Sequence, residues 1–96
     1  MDSIAPSVAQ KLSTTHVALG RRIRQLRVER GYTQESLGLE IGMHRTYVGH
    51  VERGEKNVSA MYLFKLADGL GVELQELFAG VPVDPAEVRS LPPAED

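Results

Sequence analysis

The residues best equipped for chemistry lie in RTYVGH, residues 45–50. Val48 and Val51, three apart, have the spacing of one buried helix stripe. They leave Arg45, Thr46, Tyr47, Gly49 and His50 on the outward side. That face offers a planar bidentate donor, two hydroxyls and an imidazole, with no acid among them. Such a set suits reading base edges and gripping phosphates. Tyr47 admits two readings, a groove contact or a ring packed on the domain edge with its hydroxyl wet.

Other chemistries find no support. His16, His44 and His50 do not share a helical face and lack a carboxylate pair, so no metal site is expected. There is no cysteine, which removes thiolate ligands, thiol nucleophiles and disulfides. No serine or threonine stands in a nucleophile elbow, and no glycine-rich loop follows a strand. The expectation is a protein that is not an enzyme, with no cofactor and no small-molecule ligand.

The elements that position these residues follow from caps and glycines. Thr14 or Thr15 caps a first helix running to about Arg30, stopped by Gly31. Thr33 caps a second, Gln34 to Ile41, ended by Gly42; Leu37 and Ile41 face inward, and Ser36 comes too late to cap. The third runs from His44 or Arg45 to Arg53, before Gly54. Ser59 caps a fourth, Ala60 to Leu70, and Val72 to Phe78 makes a short fifth. Gly38 allows close helix approach, and Gly42 supplies the positive φ of a sharp turn. With few aromatics and no strand pattern, the fold class is all-α: a compact five-helix bundle with a helix-turn-helix.

Ninety-six residues allow one small core. All nine glycines fall between Gly20 and Gly80, while the prolines are Pro6, Pro82, Pro85, Pro92 and Pro93. Residues 1–13 read as an N-terminal arm, 14–80 as the domain, and 81–96 as an acidic, proline-rich flexible tail. The net charge of −2 hides an asymmetry. His16–Val58 holds eight basic and five acidic residues, whereas Ser59–Asp96 holds two and seven. The basic half, not the overall balance, bears on a nucleic-acid partner. No apolar run is long enough for a membrane span and no signal-peptide pattern opens the chain, so a cytoplasmic, nucleoid-associated location is expected.

The segment Leu19–Phe78 resembles the helix-turn-helix domain of the Cro and lambda-repressor (XRE) class. IRxLRxxRGxTQExL, RTYVxxVERGxxN and LADGLGV occur in order. Within the class, HRTYVGHVERGEKNVS is most similar to the controller proteins of restriction–modification systems. The resemblance implies a dimeric transcriptional regulator acting on double-stranded DNA at a near-palindromic operator. It places Arg45, Thr46, Tyr47 and His50 toward bases, and Thr33, Gln34, Arg53, Lys56 and Asn57 toward phosphates. Gly38 departs from the usual alanine, and Gly49–His50 departs from the small residues of controllers, so base preference does not carry over.

Three expectations concern residues away from this outward face. Arg22 is the member of the first helix's arginine cluster assigned to phosphate. Arg27, four after Ile23, and Glu52, four after Val48, continue apolar stripes, so their opposite charges should meet; the resemblance implies the same bridge. Val72, Leu74, Leu77 and Phe78 form a stripe that is either core or a homodimer interface, and the small bundle favours the interface. The alternative functions are an antitoxin-like protein-binding module that autoregulates its operon, or a phage-type repressor.

Overall fold

The computed structural model describes residues 13–93. Within them run α1 (Thr14–Glu29), α2 (Gln34–Ile41), α3 (Arg45–Glu52), α4 (Ala60–Leu70), α5 (Leu74–Phe78) and α6 (Pro85–Arg89). The expectations for residues 1–12 and 94–96 lie outside the described residues.

Short polar side chains set the helix starts. Ser13, rather than Thr14 or Thr15, caps α1 by accepting from His16 N at 3.1 Å. At α2, Thr33 Oγ1 accepts from Ser36 N, and Ser36 Oγ accepts from Thr33 N at 2.8 Å. Ser36 is therefore the far half of a capping box, at the position usually held by Glu or Gln. His44 caps α3 with Nδ1, which accepts from Thr46 N at 3.0 Å. Ser59 caps α4. Gly42, at φ 71°, ends α2 in the left-handed region and lets α3 start after two more residues.

The core lies between α1 and the helices around it. Ile23, Leu37, Val48, Leu66 and Leu77 are fully buried, with Leu26, Ile41, Val51 and Leu70 beside them. α3 packs on α2 and α1, and α5 packs on α1 and α4. Two glycines permit the closest approaches: a Cβ at Gly20 would overlap the carbonyls of Val51 and Glu52, and one at Gly38 the carbonyl of Met43.

Two further expectations are corrected. Leu77 is 0% exposed, which removes it from any dimer contact. α5 packs on both α1 and α4, and Leu77 is the residue of that short helix drawn fully into the core. The segment 81–96 is not simply an extended tail, because α6 forms inside it and raises the helix count among the described residues to six. Proline stops a helix from within but starts one at its first position, where no N–H is needed. Asp84 caps α6 and Pro85 follows, so a proline counted toward the flexible tail starts a helix instead.

α6 is held by a carboxylate. Glu87 accepts from Thr14 N at 2.6 Å, Thr14 Oγ1 at 2.8 Å, Ser13 Oγ at 2.8 Å and Thr15 N at 3.2 Å. An anion thus sits on the unpaired N–H groups of α1, where the helix dipole also favours it. These bonds, Thr14's first, hold the Glu87 carboxyl well below the usual carboxylate range.

Candidate nucleic-acid interface

α3 presents its polar side outward because Val48 and Val51 are buried on the other. Arg45 and Thr46 are exposed on the first turn, and Tyr47 and His50 are half-buried. Gly49 departs from expectation: it is buried, with Gln34 and Arg53 side chains packed over the space a Cβ would fill. Glycine there lets α2 and α3 close over one another.

The rear of α3 is locked by an ion pair. Arg27 Nε lies 2.5 Å from Glu52 Oε2, and Nη2 donates to Oε1 at 3.1 Å. The side chains are 9% and 2% exposed, so both charges are out of water. Arg27 Nη1 donates to Tyr32 O at 2.8 Å, and Gln34 Nε2 donates to Glu52 Oε1 at 3.0 Å. The network joins α1, the α1–α2 loop, the start of α2 and the end of α3, and sets the pitch of the outward face.

Acids border that face after all. Arg45 Nη1 is 3.6 Å from Glu35 Oε1, with both side chains more than half exposed. Such a surface pair contributes little and releases Arg45 readily. At the other end of α3, His50 Nδ1 is 2.6 Å from Glu55 Oε1, and Arg53 Nε is 3.1 Å from Glu55 Oε2. Arg53, then His50, keeps the Glu55 carboxyl below its ordinary range. Neither acid was legible as a neighbour, since each contact crosses a turn or a helix end.

The remaining candidates divide. Lys56 is exposed and makes no ion pair among the described residues. Asn57, also exposed, has Oδ1 3.2 Å from His16 Nε2, tying the loop after α3 to the first turn of α1. Thr33 is exposed at the start of α2. Arg22 stands apart: its Nε donates to Glu76 O at 3.0 Å and its Nη1 to Gln25 Oε1 at 3.1 Å. It braces α1 against α5, an element that carries none of the other polar candidates. Tyr47 meets Tyr62 of α4 with centroids 6.0 Å apart and planes tilted by 53°, and Lys65 Nζ lies 5.8 Å from the Tyr62 centroid. Tyr47 thus packs one edge on the domain, as its second reading had it, and remains part of the outward face.

No helix of the described residues is long and apolar enough to cross a membrane, and no group of three or more His, Asp or Glu among them is placed to hold a metal.

Comparison with known proteins gives the same frame. The control protein C.MunI of a Mycoplasma species is 38% identical over 66 residues, which span 68% of this chain and 89% of that protein. The crystal structure of the restriction-modification controller protein C.AhdI from Aeromonas hydrophila superposes with a TM-score of 0.68 at 45% identity, covering 69% of this chain and all of that one. The master regulator for biofilm formation SinR, solved in complex with DNA, superposes with a TM-score of 0.60 at 33% identity, over 62% of this chain and 97% of that one. The profile of the helix-turn-helix family HTH_3 matches residues 23–77, which include α2, its turn and α3. The chain belongs to this helix-turn-helix family, and restriction–modification control proteins are among its relatives.

Proposed function

We propose that the chain is a dimeric regulator of restriction–modification gene expression that binds a near-palindromic operator through α3. The observation that carries this is the outward face of Arg45, Thr46, Tyr47 and His50 on a helix whose rear is fixed by Arg27, Glu52 and Gln34. A rigid rear and an exposed polar front are what a major-groove helix requires. Arg45 and Thr46, on the first turn, reach base edges. Thr33, the Gln34 backbone N–H, Lys56 and Asn57 flank α3 and take phosphates, with Arg53 joining them when Glu55 releases it.

Dimerisation uses apolar surface that the monomer leaves uncovered. Phe78 is 42% exposed on α5, with Val72 and Leu74 half-buried beside the core. Met61 and Phe64 on α4 are 70% and 52% exposed. A two-fold pairing over this surface sets two α3 helices into successive major grooves about 34 Å apart.

Selection of duplexes from a randomised pool by the purified protein tests the proposal. The expected outcome is an inverted repeat with half-sites about one helical turn apart, bound with an affinity that falls steeply with salt. Recovery of no common sequence would overturn it.

A further inference from the structure

The end of α3 carries a charge arrangement that phosphate binding does not call for. His50 follows Thr46 by four residues and shares its stripe, with its side chain 35% exposed. Its Nδ1 lies 2.6 Å from Glu55 Oε1, the oxygen that also receives Arg53 Nη2 at 3.3 Å. Arg53 Nη2 lies 3.3 Å from the same His50 nitrogen. One nitrogen cannot both give a hydrogen and receive one. The shorter contact decides, because an ionised carboxylate only accepts, so Nδ1 carries the hydrogen. In a neutral imidazole Nε2 is then an acceptor, and no hydrogen bond among the described residues uses it.

Glu55 also opposes DNA in a simpler way. It places a negative charge beside the surface that meets phosphates and occupies Arg53 through Nε and Nη2. An element that only increased affinity would omit it. A carboxylate here lowers binding to every sequence alike, which cuts affinity and leaves discrimination to what it does through His50.

We propose that Glu55 is a positioning residue for specificity. It holds His50 with Nε2 free of the protein for a base edge in the major groove, where the neutral ring accepts from the amino group of cytosine or adenine. It also restrains Arg53 from binding phosphate indiscriminately. This rests on the DNA-reading function above. An acceptor pairs with cytosine N4 or adenine N6 and is refused by guanine N7 and O6 and by thymine O4.

The test measures binding of wild type, Glu55→Ala, Glu55→Gln, His50→Ala and the double variant His50→Ala/Glu55→Ala. The duplexes are the one selected from the randomised pool, its single-base-pair variants and a scrambled sequence. Far-UV melting of each variant accompanies the titrations. Glu55→Ala should bind scrambled DNA about fivefold tighter, as removal of one nearby like charge in water implies. It should lose about tenfold in discrimination at one base pair of each half-site. Glu55→Gln keeps an oxygen for Nδ1–H, so it should retain that discrimination while also gaining affinity for scrambled DNA. In the His50→Ala background, Glu55→Ala should cost no further discrimination. Unchanged discrimination in Glu55→Ala, or equal loss in Glu55→Gln, would overturn the positioning role while leaving the DNA-reading function intact. A wild type that selects no sequence would overturn that function and this proposal with it.

Discussion

At the scale of single residues, exposed side chains and the buried pair call for opposite reasoning. Arg45 and Lys56 are both exposed cations, yet their proposed partners differ. Arg45→Ala should relax base preference, because a bidentate arginine–guanine pair discriminates by about 1–3 kcal/mol. Lys56→Ala should weaken binding to all duplexes and reduce the slope of log K against log salt by about 0.9. Titrations of cognate and scrambled duplexes at several salt concentrations separate the two; equal losses for Arg45→Ala would remove it from the base readers. Arg27 obeys different physics. Truncating it leaves Glu52 charged, nearly unexposed and short of two donors, so Arg27→Ala should cost about 3–5 kcal/mol in urea unfolding. Replacing both members with apolar side chains should cost far less, because no orphan charge remains.

At the scale of elements, helix propensity and helix packing disagree at Gly20. Glycine inside α1 costs about 1 kcal/mol relative to alanine by propensity. A methyl group there would meet the Val51 and Glu52 carbonyls, which are backbone and cannot rotate away. Overpacking of this kind costs about 1–3 kcal/mol and displaces α3 from α1. Gly20→Ala should therefore lower the melting temperature despite its better propensity, and it should weaken operator binding because α3 shifts. α6 supplies the second element-scale prediction. The folded-state pKa of Glu87 lies below its unfolded value, so its contribution is complete above the ordinary carboxylate range. That contribution is lost as pH falls through the lowered folded value. Glu87→Gln should lower thermal stability at neutral pH and flatten its acid limb, as melting curves across pH 7 to 3 would show; an unaltered acid limb would mean that Glu87 does not hold α6.

At the scale of the whole molecule, Leu77 and Phe78 are neighbours with different duties. Leu77, fully buried between α5 and the rest, is a folding residue, and Leu77→Ala should cost about 2–5 kcal/mol of stability. Phe78 is 42% exposed in the single chain, and Phe78→Lys should lower the melting temperature far less than Leu77→Ala, by no more than the lost association accounts for. In sedimentation that variant should be a monomer at concentrations where the wild type is a dimer, with operator affinity reduced far more than stability. Equal association of both proteins would move the interface elsewhere, with Met61 and Phe64 the next apolar residues to replace.

The sequence by itself determined the all-α class, the order of the first five helices and the outward position of Arg45 and Thr46. These follow from local rules: side-chain oxygens that cap, glycines that stop, and valines spaced to face one side. Spacing also marked Arg27 and Glu52 as charges on buried stripes, since a charge repeating an apolar period must be paired or desolvated. Tertiary structure decided what depends on distance through space. Leu77 and Phe78 are adjacent in a short apolar run, and only the placement of α5 on α1 and α4 makes one core and the other surface. Glu87 meets Ser13, Thr14 and Thr15 more than seventy positions away, a contact no local period encodes. Glu55 reaches His50 and Arg53 only because the chain turns at Gly54 after α3, so the acid beside the polar face becomes visible only when that turn is folded.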